Sequence, residues 1–209
     1  MRKRKNEIFS AIKGDILNNV KSYFIIIVIF SVGIFLGVLF INQTEDKSEI
    51  EEYINTYIDE TKSIENGNYL GELQKEIKGN IILVLLLWFA GTTIIGIPIV
   101  FGIILFRGFC LGYTIASCVY ILGTLKGILF IVITIFLQNV IFIPAIMILG
   151  VSSIKLYTSI IKDRRKENIK LSILKHSIVS LIIMMALIVS SIVKTEVSYR
   201  LIVNLIKYF

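Results

Sequence analysis

Carboxylates are missing from the whole stretch between Ile77 and Lys162, and the chain of 209 residues holds one histidine, two cysteines and two prolines. Each scarcity removes a class of function. The single His176 has no companion ligand, so a zinc centre is not expected. It also has no serine nucleophile at a recognisable spacing, and no phosphate-binding glycine loop is present, so no catalytic apparatus and no cofactor are expected. Cys110 and Cys118 fall in one apolar run. On a helix they stand about 12 Å apart along the axis, beyond the roughly 7 Å that a disulfide spans. They read as free thiols. The carboxylate-free centre also argues against a coupled transporter, which commonly uses an acidic residue for protons or cations.

What is abundant is apolar: 56% of residues are hydrophobic, and mean hydropathy is +0.82. That exceeds the usual share in a soluble domain. The expected fold is all-α, a polytopic transmembrane bundle of about five spans with kinked central helices and amphipathic interfacial helices. The formal net charge is +7. The basic residues sit mainly between apolar runs, which fits anionic lipid headgroups and topology signals rather than nucleic acid.

Along the chain, residues 1–21 carry six basic and two acidic side chains and read as a cytoplasmic amphipathic segment. Residues 22–41 form the first span, about 30 Å as a helix. Residues 42–78 reverse the charge, with ten acidic and four basic side chains. Within them Ser48 and Glu51 suggest a capping box. Ile50, Tyr53, Ile54, Tyr57 and Ile58 follow at helical spacing. This acidic amphipathic helix covers either the rest of the chain or a partner, and the stripe is a candidate partner-facing surface. Spans are expected at 81–106, 108–125, 127–153 and 176–193, with a basic cytoplasmic loop at 155–175 and an interfacial tail at 194–209. Residues 155–175 hold seven basic and two acidic side chains. The lysine and arginine bias places the N-terminus and this loop inside, and residues 42–78 and the C-terminus outside.

Three clusters interrupt the central spans. In Gly91-Thr92-Thr93-Ile94-Ile95-Gly96-Ile97-Pro98, proline and glycine weaken the helix and threonine hydroxyls can satisfy freed carbonyls. A kink or break is expected. In the run Arg107 to Thr114, Arg107 either snorkels to headgroups at a span end or ties helix ends together. Gly108 and Gly112 form a small-xxx-small face that could close a homo-oligomer core. Gln138 and Asn139 are adjacent amides that need hydrogen-bond partners in lipid. Pro144, after them, implies another break.

Taken together, the G-T-x-x-I-G-x-P run at 91–98, the R-G-F-x-x-G-Y-T run at 107–114 and the Q-N-x-x-x-I-P-A run at 138–145 resemble the stage II sporulation protein M family. The resemblance makes Gly91, Thr92, Gly96, Pro98, Arg107, Gly108, Phe109, Gly112, Thr114, Gln138, Asn139 and Pro144 structural or packing positions. It implies a membrane scaffold without catalysis of its own. Its implied partners are stage II sporulation proteins D and P, two wall hydrolases acting at the septum during engulfment. A small transporter, a channel or a permease-like subunit is the alternative.

Overall fold

The computed structural model describes residues 14, 17–44, 47–63, 69–93, 95–132, 137–162 and 166–205, and all regular structure among them is helical. Seven helices follow in order: α1 (Val20–Gln43), α2 (Lys47–Ser63), α3 (Tyr69–Thr92), α4 (Gly96–Leu122), α5 (Thr124–Ile131), α6 (Leu137–Lys162) and α7 (Lys166–Leu205). Four of them, α1, α4, α6 and α7, contain stretches long and apolar enough to cross a membrane. Helix α3 joins them in the bundle, although Lys75, Glu76 and Lys78 occupy its first half. The fold is the expected polytopic helical bundle. Most of the expected 1–21 segment and most of the KDRRK run at 162–166 lie outside the described residues.

Contacts fix the helix directions. Gly33 faces Gly108 and Phe109, while Gly37 faces Phe109 and Tyr113, so α1 and α4 run parallel. Asn80 bonds Ser191 and Trp88 bonds Ser177, so α3 runs against α7. Ser152 meets His176 and Ser159 meets Ser172, so α6 also runs against α7. Helices α1, α4 and α7 therefore point one way, and α3 and α6 the other. The start of α1, the α3–α4 turn and the α6–α7 connection share one end of the bundle. Helix α2 and the α4–α5 turn share the other.

The core forms where α1, α3, α4, α6 and α7 meet, around Ile26, Leu87, Val100, Ile104, Ile146, Leu149 and Leu187. Phe24, Phe35, Phe89, Phe106, Ile182 and Met185 point outward and are well exposed. A water-soluble bundle would not expose such a belt; in lipid it faces a matching solvent.

Several boundaries depart from expectation. The chain reverses between α3 and α4, inside the 91–98 run where a kink or break is expected and not at Arg107, so the expected 81–106 span is two antiparallel helices. Thr92 and Thr93 donate their hydroxyls to the carbonyls of Phe89 and Ala90, closing α3 where backbone donors run out. Gly96 opens α4 with its Cα against the Ala90 carbonyl, where a Cβ has no room. Pro98 then sits in the first turn of α4, where its missing N–H costs nothing. The next turn is at Gly123, whose φ of 81° suits glycine. Lys126, expected to mark that turn, lies within α5. Pro144 does not break its span, because α6 runs through it unbroken, as lipid-embedded helices tolerate when neighbours satisfy the freed carbonyl.

Helix α7 is continuous over 40 residues, or about 60 Å. It absorbs part of the expected 155–175 loop, the 176–193 span and most of the expected separate tail. The Gly108–Gly112 face is also reassigned. It is filled by α1 of the same chain, against Phe30 and Ile34, and so is not free to form an oligomer core.

Candidate functional site

A cleft of about 400 Å³ opens among α3, α4, α6 and α7, on the part of the bundle nearer α2. Two of the three sequence clusters meet there. Arg107 and Thr114 come from α4, and Gln138 and Asn139 from the first turn of α6. The third cluster lies at the opposite end. There Gly91 packs against the Ser153 hydroxyl and the His176 ring, and His176 is buried with Nδ1 2.9 Å from Ser152 Oγ.

The cleft is held by residues that sequence reasoning missed. Glu76 of α3 pairs with Lys194 of α7. Its second carboxylate oxygen accepts a hydrogen bond from Gln138 Nε2 at 3.0 Å. Asn80, one turn further along α3, donates to Ser191 Oγ at 2.8 Å. Ser190 donates to the Gln138 carbonyl at 3.2 Å. Thus Gln138 is bonded through both its side chain and its backbone, and the amide that looked costly in lipid is satisfied. The pairing of residues 62 and 118 positions apart leaves no local sequence signal. The one available hint is the helical run Glu76–Asn80, which brings both side chains to one face of α3.

Removing either Glu76 or Lys194 strands the other charge in a partly enclosed site. Glu76→Ala and Lys194→Ala should each destabilise the bundle, and the double variant should cost less than their sum. A coupling of ~1 kcal/mol or more is expected for a contacting pair, read from chemical unfolding in detergent. Strict additivity would contradict the pairing.

Arg107 is the twelfth residue of α4, close to the middle of the helix. The residues beside it on α1 also lie near that helix's middle. It therefore neither snorkels at a span end nor ties helix ends. Its guanidinium lies 5.3 Å from the centre of the Phe142 ring. A cation on an aromatic face gains ~0.5–2 kcal/mol, against ~2.5–3.5 kcal/mol for a charge at a helix centre in lipid on insertion scales. The ring offsets only part of the cost, and the guanidinium lines the cleft rather than lying in the apolar packing.

The acidic helix α2 caps the cleft end of the bundle. Ile50 and Ile54 are 1% and 0% exposed. Tyr53 stands over the Tyr113 ring at 5.1 Å between centroids, and its hydroxyl is 2.9 Å from Thr114 Oγ1. Burial raises the Tyr53 phenol above its ordinary pKa, so the hydroxyl keeps its proton. The expected partner-facing stripe is therefore corrected at Ile50 and Ile54, which seat α2 on its own chain. The side chains of Tyr57 and Ile58 lie outside the described residues. The face that remains exposed is acidic, with Glu49, Glu51, Glu52 and Asp59.

The family model described as Stage II sporulation protein M matches residues 26–199, a range holding all three sequence clusters and most of the bundle. No curated protein matches the chain, and no solved structure does.

Proposed function

The chain belongs to the stage II sporulation protein M family, and on that premise we propose that this membrane protein is a non-catalytic scaffold. It gathers wall hydrolases, stage II sporulation proteins D and P, at the septal membrane during engulfment. Its basic N-terminus and the α6–α7 connection face the cytoplasm, and α2 faces the wall. The observation that carries the reading is the seating of α2. A helix fixed by Ile50, Ile54 and the Tyr53–Thr114 hydrogen bond holds its row of exposed carboxylates at a constant position above the bundle. A rigid charged face suits recruitment of a partner, because little ordering entropy is lost on docking.

The alternative of a channel or transporter finds less support. Beyond Arg107 the bundle centre is occupied by Leu87, Ile104, Ile146 and Leu149, all fully buried. The cleft ends against this packing, which favours a binding recess over a conduit.

Reversing the acidic face tests the scaffold. Glu51→Lys with Glu52→Lys should leave the bundle folded, since both side chains are exposed. Co-purification with the two hydrolases should fall about tenfold or more, equivalent to ~1.4 kcal/mol. Unchanged association and septal localisation would remove α2 from the docking surface.

A further inference from the structure

Beyond the scaffold reading, two cavities meet at one residue. The polar cleft and an apolar groove of about 590 Å³ between α3 and α4 share Gly79 and Arg107 in their walls. The groove runs from Arg107 toward the α3–α4 turn. It is lined by Ile82, Leu86, Ile99 and Phe106, which all face outward. Its two glycines differ from those of the α1–α4 seam. A Cβ added to Gly79 or Gly102 would meet nothing within 4 Å, so neither is needed for helix packing. What their missing side chains do is leave the groove open.

Charge completes the picture. The cleft wall carries Lys194 and Arg107 against the single carboxylate of Glu76. That carboxylate is already taken by Lys194 and Gln138. Among the described residues Arg107 has no carboxylate within ion-pair distance, and the Phe142 ring is its stacking contact. A half-buried guanidinium lining a cavity with excess positive charge is a receptor for an anion with planar or tetrahedral oxygens.

We propose that this composite site binds a membrane lipid with a phosphate-bearing anionic headgroup. The phosphate rests on Arg107 within the polar cleft, and one hydrocarbon chain lies along the α3–α4 groove. The order of the two cavities fits a lipid of the leaflet on the α2 side. The polar compartment opens toward that membrane surface, with Arg107 at its inner end, so the headgroup is drawn below its usual depth, and the apolar compartment points toward the opposite leaflet.

The test uses the full-length protein in a non-ionic detergent, with phosphatidylglycerol or phosphatidylcholine added and bound lipid counted by native mass spectrometry. Phosphatidylglycerol should be retained about tenfold more than phosphatidylcholine, because both offer the phosphate but only phosphatidylcholine brings a choline cation, which the net positive cleft repels. Arg107→Gln should lower retention of both lipids and narrow the difference between them. Gly102→Leu, which adds a side chain only into the open groove, should reduce phosphatidylglycerol retention while the protein stays folded. Equal retention of both lipids by the native protein, or phosphatidylglycerol retention unchanged by Arg107→Gln, would overturn the proposal. Inorganic phosphate provides the remaining arm. If it displaces phosphatidylglycerol fully and Gly102→Leu has no effect, the site takes a free anion and the lipid assignment fails. Should Arg107→Gln not fold, Arg107→Lys and Gly102→Leu decide the matter together.

Discussion

Replacing Gly112 with leucine should leave almost no folded protein. A Cβ at this position would lie 2.9 Å from both the Cα and the carbonyl carbon of Ile34 and closer still to the Ile34 oxygen. These are backbone atoms of α1, and no side chain can swing aside. Gly108 meets Phe30 in the same way, and Gly33 and Gly37 return the contact from α1. Four glycines on two parallel helices thus set one interaxial distance. Overpacking commonly costs ~1–3 kcal/mol. With backbone on both sides, the loss should reach or exceed the upper figure, a large part of the ~5–15 kcal/mol of a typical domain. Monodisperse yield in detergent and the thermal midpoint measure it. Gly102→Leu is the control, since it meets open space, and it should behave like the native chain. Equal stability of the two leucine variants would refute the seam.

The second large effect is expected at Ile54→Asp. Ile54 is fully buried beneath α2, and a carboxylate there loses its hydration. Burying an unpaired charge costs several kcal/mol. The helix can avoid that cost by leaving the bundle. With ~3 kcal/mol against docking, the equilibrium constant for seating α2 should fall about a hundredfold. The five long helices keep their own core and should remain assembled. Limited proteolysis would then cut within residues 47–63 while the rest of the chain resists. Protection equal to the native protein would mean that α2 is not held by this side chain. Under the proposed scaffold role, the variant also separates two ways of losing hydrolase binding. Ile54→Asp displaces the docking face, whereas Glu51→Lys with Glu52→Lys alters its charge in place.

The sequence was most readable where a single helix carries its own signal. Helix α1 is an apolar run bounded by polar residues, and its limits differ from 22–41 by two residues at each end. The acidic helix was legible from its Ile and Tyr spacing, and α2 begins one residue before the expected Ser48. The reversal at 93–95 was harder. Hydropathy runs uninterrupted from Ile81 to Phe106 and the next charge is Arg107, so charge drew the boundary in the wrong place. The better signal was chemical: two threonines able to cap a helix end, then glycine and proline suited to begin another. Glu72, Lys75, Glu76 and Lys78 lower the local hydropathy, so the first turns of α3 read as a loop from the sequence. Two of those charges, Lys75 and Glu76, line the cleft.

The site was legible only in part for a related reason. Arg107, Gln138 and Asn139 stand out because polar groups in an apolar run are costly. Glu76, Asn80 and Lys194 look ordinary in their own polar neighbourhoods, and their partners are far away in the chain. Gly33 and Gly37 sit in a span whose apolarity masked them, so the Gly108–Gly112 face was read without its complement. The buried face of α2 follows the same logic. Periodicity identifies a stripe that must be covered, and only tertiary contacts say that α4 and α7 of the same chain cover it.

Labelling of Asn55→Cys on intact cells tests the scaffold most directly. Asn55 is exposed on α2, and the native Cys118 is buried; Cys110 is replaced by serine to remove the second thiol. A membrane-impermeant maleimide should modify the new cysteine from outside, at the same level before and after permeabilisation. Modification only after the membrane is opened would put the acidic face in the cytoplasm and leave the wall hydrolases with nothing to dock on.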